Sequence, residues 1–200
     1  MPRESGTKRA ILDAALDLAA ANGISGTTMD DVAERAGVAK GSLYYNFSSK
    51  DKLFEKLLLE GVAALTECLR SARSGLEGWK AIEAMVRALL ELLSENRALA
   101  KLMAAEILRT DRTWQRSLHL LRQEALAEFV EPIRQTGGGS AQPGDGTLSD
   151  AGTDRLTLIA GSVFGATLMG ALDWLVFDPE RSVEDVAAAV LYALSGRLQS

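Results

Sequence analysis

The chain has 200 residues, 47% of them hydrophobic, which leaves room for one large or two modest domains and excludes global disorder. Its net charge of −5 argues on its face against nucleic acid, but residues 1–53 hold seven Lys/Arg and seven Asp/Glu, so every excess acid lies beyond them. The single cysteine, Cys68, excludes an intrachain disulfide and suits a reducing cytoplasm, and neither a signal peptide nor an apolar run of membrane-spanning length is expected.

Only four prolines and much alanine and leucine predict a mostly helical protein. Residues 1–6 read as a loose arm. Arg3, Lys8 and Arg9 put positive charge there, for solvent or for a DNA backbone or minor groove. A first helix is expected over about 7–21, with Ile11, Ala14, Ala15, Leu18 and Ala19 as its apolar stripe. Asn22-Gly23 closes it, and Ile24 plugs a small core. Thr28 caps a second helix, with Asp31 as the reciprocal acid of a capping box. Met29, Val32, Ala33 and Ala36 recur at helical spacing, and Gly37 stops the helix because it accepts a left-handed backbone cheaply. A third helix over about 39–46 carries Leu43 inward. Two helices joined by a short glycine turn are the pattern of a helix-turn-helix. Ser48 with Asp51 reads as a second capping box, opening a helix at Lys50.

That fourth helix is expected to reach about Arg73, with Leu53, Phe54, Leu57, Leu58, Val62, Leu65 and Leu69 on one side. Such a stripe makes one rigid element belonging to two domains. Ser74-Gly75 separates it from helices over about 76–94 and 97–109, with a break at Asn96. Thr113 caps a seventh helix running to about Gln135, which Pro132 kinks or ends early. Residues 137–146, GGGSAQPGDG, read as a mobile loop and lack the pattern that cradles phosphates. Helix eight is expected over about 150–177. Its stretch 156–177, the nearest thing to a membrane span, contains Asp173 and glycines and reads as a buried interface helix. Asp178-Pro179 ends it, and Ser182 with Asp185 caps the ninth helix. Two such apolar helices need more cover than the rest of the body supplies, which predicts a homodimer through them.

The string VAERAGVAKGSLYYNFSSKDKL, Val32 to Leu53, resembles the DNA-binding domain of the TetR/AcrR transcriptional regulators, and WLVFDPERSVEDV is similar to the end of that family's members. The resemblance implies an all-α chain of about nine helices. A three-helix helix-turn-helix head (1–53) would be joined by a long helix to a ligand-binding and dimerisation body (54–200). It further implies a cytoplasmic, ligand-responsive regulator: a repressor released from a palindromic double-stranded DNA operator by a small, mainly apolar effector. Ala39 departs from the family pattern, which has Ser or Thr as the cap of the reading helix. Losing that cap costs roughly 0.5–2 kcal/mol of local support, offset by packing of Leu43 and Phe47.

On the reading helix, Lys40 and Ser42 are expected on the exposed side, with Gly41 letting the backbone come close. Lys40 can donate to guanine edges or a phosphate. The resemblance implies that Tyr44 or Tyr45, or both, contact phosphate or a thymine methyl, against the alternative of local packing. Thr27 and Thr28 lie at a helix N-terminus, where free amides favour phosphate, and Lys50 holds a similar place. Lys52 is a second phosphate contact or a solvated lysine. Asp31 caps, while Asp30 either pairs with a neighbour or limits non-specific binding.

One histidine, one cysteine and no HExxH, CxxC or Ser-His-Asp spacing give no support for an enzyme, a metal or a cofactor. Met85, Leu89, Met103, Trp114, Phe164 and Trp174 line an effector cavity or fill a plain core. Glu106 and His119, with Arg109 and Gln123, are candidates for orienting a polar group, although His119 reads first as a satisfied structural histidine. Two other functions stay open: a regulator controlled by a protein partner, and a helical small-molecule binding protein without specific DNA binding.

Overall fold

The computed structural model describes residues 6–107, 114–138 and 151–198. Thr113, Arg109 and residues 139–146 of the loop expected over 137–146 lie outside them. Every regular element among the described residues is helical: α1 (Gly6–Gly26), α2 (Met29–Arg35), α3 (Lys40–Asn46), α4 (Lys50–Arg73), α5 (Gly78–Glu95), α6 (Arg97–Ile107), α7 (Gln115–Ile133), α8 (Ala151–Phe177) and α9 (Val183–Leu198). The chain divides into two compact units, one of residues 1–62 and 96–119, the other of 63–95 and 120–200. The head expected over 1–53 lies inside the first, which also takes in the start of α4 and the whole of α6.

In the first unit α1 is interrupted at Gly23, where φ is 72°, so the expected stop after Asn22 is a kink from which Ile24 turns into the core. That core is built from Ile11, Leu12, Val32, Leu43, Leu53, Phe54 and Leu58, and is closed by Leu102 and Trp114. Three short helices bury too little surface to stand alone. The packing of α6 along α1 supplies the missing cover. α6 also lies close to α4: a Cβ on Gly61 would stand 3.1 Å from Leu99 Cδ2 and 3.2 Å from Met103 Sδ.

The opening of α4 corrects one expectation. Ser49, not Ser48 with Asp51, is the cap: Ser49 Oγ accepts from the Lys52 amide at 3.2 Å, and its carbonyl from the Leu53 amide at 3.1 Å. The Ser-x-x-Asp pattern is out of register by one residue with the turn that forms.

In the second unit, α5 buries Ala81, Ile82, Met85, Val86, Leu89, Leu90 and Leu93 against α8 and α9. Glu128 of α7 takes Arg70 at 3.0 Å and Arg73 at 2.8 Å from the last turns of α4. Pro132 lies inside α7, one residue before its end at Ile133, and a π-helical turn, Arg134–Gly138, follows. The Ser182 hydroxyl accepts from the Asp185 amide at 3.1 Å, the expected cap of α9.

α8 overturns the expectation that no run reaches membrane-spanning size. Arg155–Phe177 is long and apolar enough by length and composition, with a mean hydropathy of 1.5. Asp173 and the glycines lower that mean too little to matter. Gly170 is where α8 admits α9, since a Cβ there would stand 2.9 Å from Val190 Cγ2. A valine methyl on a helix is held in one rotamer and cannot swing aside. Gly170→Ala is therefore expected to lower stability by about 1–3 kcal/mol in urea denaturation. Gly161→Ala, whose nearest neighbour is at 3.9 Å, should not destabilise.

Candidate nucleic-acid interface

Local chemistry sets the two helices of the turn. The Asp31 amide donates to Thr28 Oγ1 at 3.2 Å, and the Thr28 amide donates to Asp31 Oδ2 at 3.0 Å, completing the expected capping box. The Thr28 hydroxyl adds a third bond at 2.7 Å, and these bonds hold the Asp31 carboxyl below the usual carboxylate range. At the other end, the Gly37 amide donates to the Glu34 carbonyl and the Val38 amide to the Ala33 carbonyl. These are the paired bonds of a Schellman turn, and they require the left-handed backbone that Gly37 adopts at φ 66°. Ala39 then starts α3 with no side-chain cap, as its chemistry dictates.

Within α3 Leu43 is the sole buried residue. Phe47, just beyond, is buried in the head core, and Lys8 Nζ lies 5.9 Å from its ring centre. Lys40, Gly41, Tyr44 and Tyr45 are exposed, and Ser42 is half-buried. Tyr45 is 91% exposed and Tyr44 50%, so neither is consumed by packing. A Cβ on Gly41 would meet nothing within 4 Å. One exposed surface thus presents an ammonium, two phenols and accessible backbone, groups able to meet phosphates and base edges.

Four of the cations in residues 1–53 are paired with carboxylates. Lys40 Nζ meets Asp30 Oδ2 at 2.5 Å, which raises the pKa of the lysine. Of the two readings of Asp30, the structure shows the neighbour pair. Arg9 pairs with Asp13 at 2.9 Å, Arg35 with Asp17 at 2.8 Å and Lys52 with Glu55 at 2.7 Å. Lys50 instead donates to a neutral group, the Ser25 carbonyl, at 3.2 Å. Thr27 needs correction: it is 1% exposed, and its hydroxyl donates to the Gly23 carbonyl at 3.0 Å. Its side chain ties the kink of α1 to α2 and is not on the surface with Thr28. Sequence reasoning also missed Asn46, whose amide donates to the Ser42 carbonyl at 2.8 Å and closes the last turn of α3.

The residues expected to line an effector site fall four to each unit. In the second, Met85 and Leu89 are fully buried on α5, and Phe164 is buried on α8. Trp174 is buried too, but its indole N–H donates to the Arg181 carbonyl at 2.9 Å, so its polar atom holds the turn between α8 and α9. In the first, Trp114 belongs to the head core with Met103 packed against it. Glu106 is a carboxylate at 3% exposure whose backbone carbonyl accepts from Gln115 Nε2 at 3.2 Å. His119 is exposed, which does not fit a donor inside an enclosed cavity. The leucines flanking it suggested burial, but on α7 Leu120 is itself 59% exposed. An open polar cleft of about 520 Å³ lies elsewhere in the second unit, between Arg70, Arg73, Leu76 and Gln135, where both arginines are engaged by Glu128. Among the described residues no group of three or more His, Cys, Asp or Glu is placed to hold a metal.

Two substitutions test the turn. Ala39→Ser supplies the missing cap and is expected to raise stability by about 0.5–2 kcal/mol. Gly37→Ala forces a Cβ into the left-handed region and should lower it by about 1–2 kcal/mol; urea denaturation measures both. A carboxyl held low when folded stabilises above its unfolded pKa, and that contribution is lost as pH falls through the folded value. The Asp31 cap should therefore weaken below about pH 4, and Asp31→Asn should remove that part of the stability–pH profile.

Residues 11–57 match the family model for bacterial regulatory proteins of the tetR family. The HTH-type transcriptional repressor KstR2 of Rhodococcus jostii (strain RHA1) is 30% identical over 105 residues, 52% of this chain and 52% of its own length. The chain spans about half the length of the curated relatives it matches. A solved Clostridium perfringens protein, assigned as a fatty acid metabolism regulator, is 28% identical with a TM-score of 0.74, covering 92% of this chain and 96% of that one. The regulator FadR from Bacillus subtilis, solved with stearoyl-CoA, shares the fold at 18% identity, with a TM-score of 0.76 and coverage of 93% and 96%. Regulators of the tetR family are cytoplasmic DNA-binding proteins, not enzymes. With residues 11–57 matched by the family model and the fold of solved relatives shared along its length, the chain strongly matches the TetR/AcrR family of transcriptional regulators.

Proposed function

We propose that this chain is a homodimeric repressor that reads a palindromic operator with α3 and is released from it by a small, mainly apolar effector. The observation that carries the DNA reading is the exposed surface of Lys40, Gly41, Tyr44 and Tyr45 on a helix held from behind by Leu43. Lys40 and Ser42 would discriminate bases, the tyrosines would meet phosphate or a thymine methyl, and Thr28 and Lys50 would grip phosphates at helix starts.

Dimerisation is supported by α8. Leu158 and Met169 are 65% and 66% exposed, Val176 50% and Phe177 79%, on the same side as the exposed small residues Gly165 and Ala166. Tyr192 of α9 is 85% exposed. An apolar stripe with a small-residue centre suits the close approach of an identical helix. A dimer has two heads, one for each half-site of a two-fold operator. An effector site is supported by the buried apolar residues of the body, Met85, Leu89 and Phe164, and by the fold, which holds stearoyl-CoA in the Bacillus subtilis relative. Release then requires effector and DNA to prefer different states, with reciprocal coupling. The paired charges of the head favour a second reading, a small-molecule binding protein without specific DNA binding.

Selection of randomised duplex DNA by the purified protein, followed by salt titration, separates the two. A palindromic motif with steep salt dependence is expected, and no enrichment at low salt would leave the second reading. Lys50→Ala should weaken binding to all sequences alike and reduce the salt slope by about 1, while Ser42→Ala should change base preference. Met169→Lys should give a monomer in sedimentation analysis and lose affinity for the two-site duplex while keeping the fold.

A further inference from the structure

α3 carries one charged side chain, Lys40, and it occupies the first position of the helix. A cation there faces the positive end of the helix dipole, so a carboxylate partner is favourable. Asp30, in the first turn of α2, supplies it at 2.5 Å. The two side chains are 66% and 59% exposed, so the pair is accessible from solvent, with Lys40 on the helix that carries Tyr44 and Tyr45. An ammonium has three donors and no acceptor. Asp30 occupies one, which fixes the direction of the ammonium and leaves two for a further partner.

We propose that Asp30 is a specificity-determining residue, holding Lys40 so that it prefers the paired acceptors of a guanine edge to a DNA phosphate. The inference rests on the DNA-binding reading above. A phosphate offers Lys40 no more charge than the carboxylate it already holds, and reaching it brings Asp30 against the polyanion. A paired lysine also adds little to counterion release, so non-specific binding gains little from it. Guanine N7 and O6 are neutral acceptors side by side in the major groove, and they take the two remaining donors without displacing Asp30. The carboxylate thus removes the sequence-independent part of what Lys40 can do and keeps the sequence-dependent part.

The test is a double-mutant cycle of Asp30→Asn and Lys40→Met on the full-length protein. Each variant is titrated with salt on scrambled duplex and on the selected motif with every base pair substituted in turn. Asp30→Asn is expected to tighten scrambled-duplex binding about two- to fivefold and to steepen the salt slope by about 1. It should also lower guanine discrimination at one position of each half-site at least about fivefold. In the Lys40→Met background, Asp30→Asn should leave base discrimination unchanged. If it shifts discrimination equally with and without Lys40, Asp30 acts as general charge and the proposal is overturned; the same holds if it changes neither slope nor discrimination. A matching thermal midpoint for Asp30→Asn separates either result from unfolding. Wild-type protein that enriches no duplex would overturn the DNA reading and this inference with it. A wild-type motif with a silent Asp30→Asn overturns this inference alone.

Discussion

A helix of seven residues with one buried side chain cannot hold itself in water. α3 is such a helix, and everything else in the first unit can be understood as what keeps it in place. Leu43 is its only anchor in the core, and Ala39 gives its first turn no side-chain cap. The support comes from neighbours: the Schellman turn at Gly37 sets the direction from which α3 starts, and Phe47 pins the chain just past its end. Behind Leu43 the core needs more apolar surface than α1, α2 and α3 own. α4, α6 and Trp114 provide it. The exposed surface of α3 is free of packing duties because its hidden side is served by residues up to seventy positions away.

Charge follows the same economy. The head is not a basic patch; among the described residues up to 53, four of the six Lys and Arg have a carboxylate within hydrogen-bonding distance. Surface pairs of this kind contribute little to stability. Their effect is on the field: a neutral head has a weak general attraction for a polyanion, and contacts made through directed hydrogen bonds gain in relative importance. Lys50, held by a backbone carbonyl, is exempt from that neutralisation.

The second unit solves a different problem. α8 is apolar on two sides, with one side packed on α5 and α9 and the other exposed through Leu158, Met169 and Phe177. Gly170 faces inward, where Val190 leaves no room for a Cβ, whereas Gly165 faces outward with nothing near it. Small residues at two different angular positions thus let one helix take close neighbours on two sides. Glu128, shared between Arg70 and Arg73, ties α7 to α4, and the Trp174 indole, bonded to the Arg181 carbonyl, holds the turn between α8 and α9.

The features legible in the residue string were those that close within one turn of chain. The Thr28–Asp31 box, the stop at Gly37, the uncapped Ala39, the start of α4 at Lys50 and the Ser182–Asp185 cap each depend on residues three or four apart, whose geometry any helix repeats. The heptad-like stripes of α4 and α5 were legible for the same reason, and the order of residues from Val32 to Leu53 carried the family. What the string left open were contacts between elements, because these depend on how far each helix is rotated about its axis. Thr27 is buried and Thr28 exposed, though they are adjacent and alike. His119 lies among leucines in sequence and in solvent in space. Asp30 found Lys40 across the turn, and α6 joined the core of the head across more than forty intervening residues. Helical periodicity says which residues share a face; only packing says what that face meets.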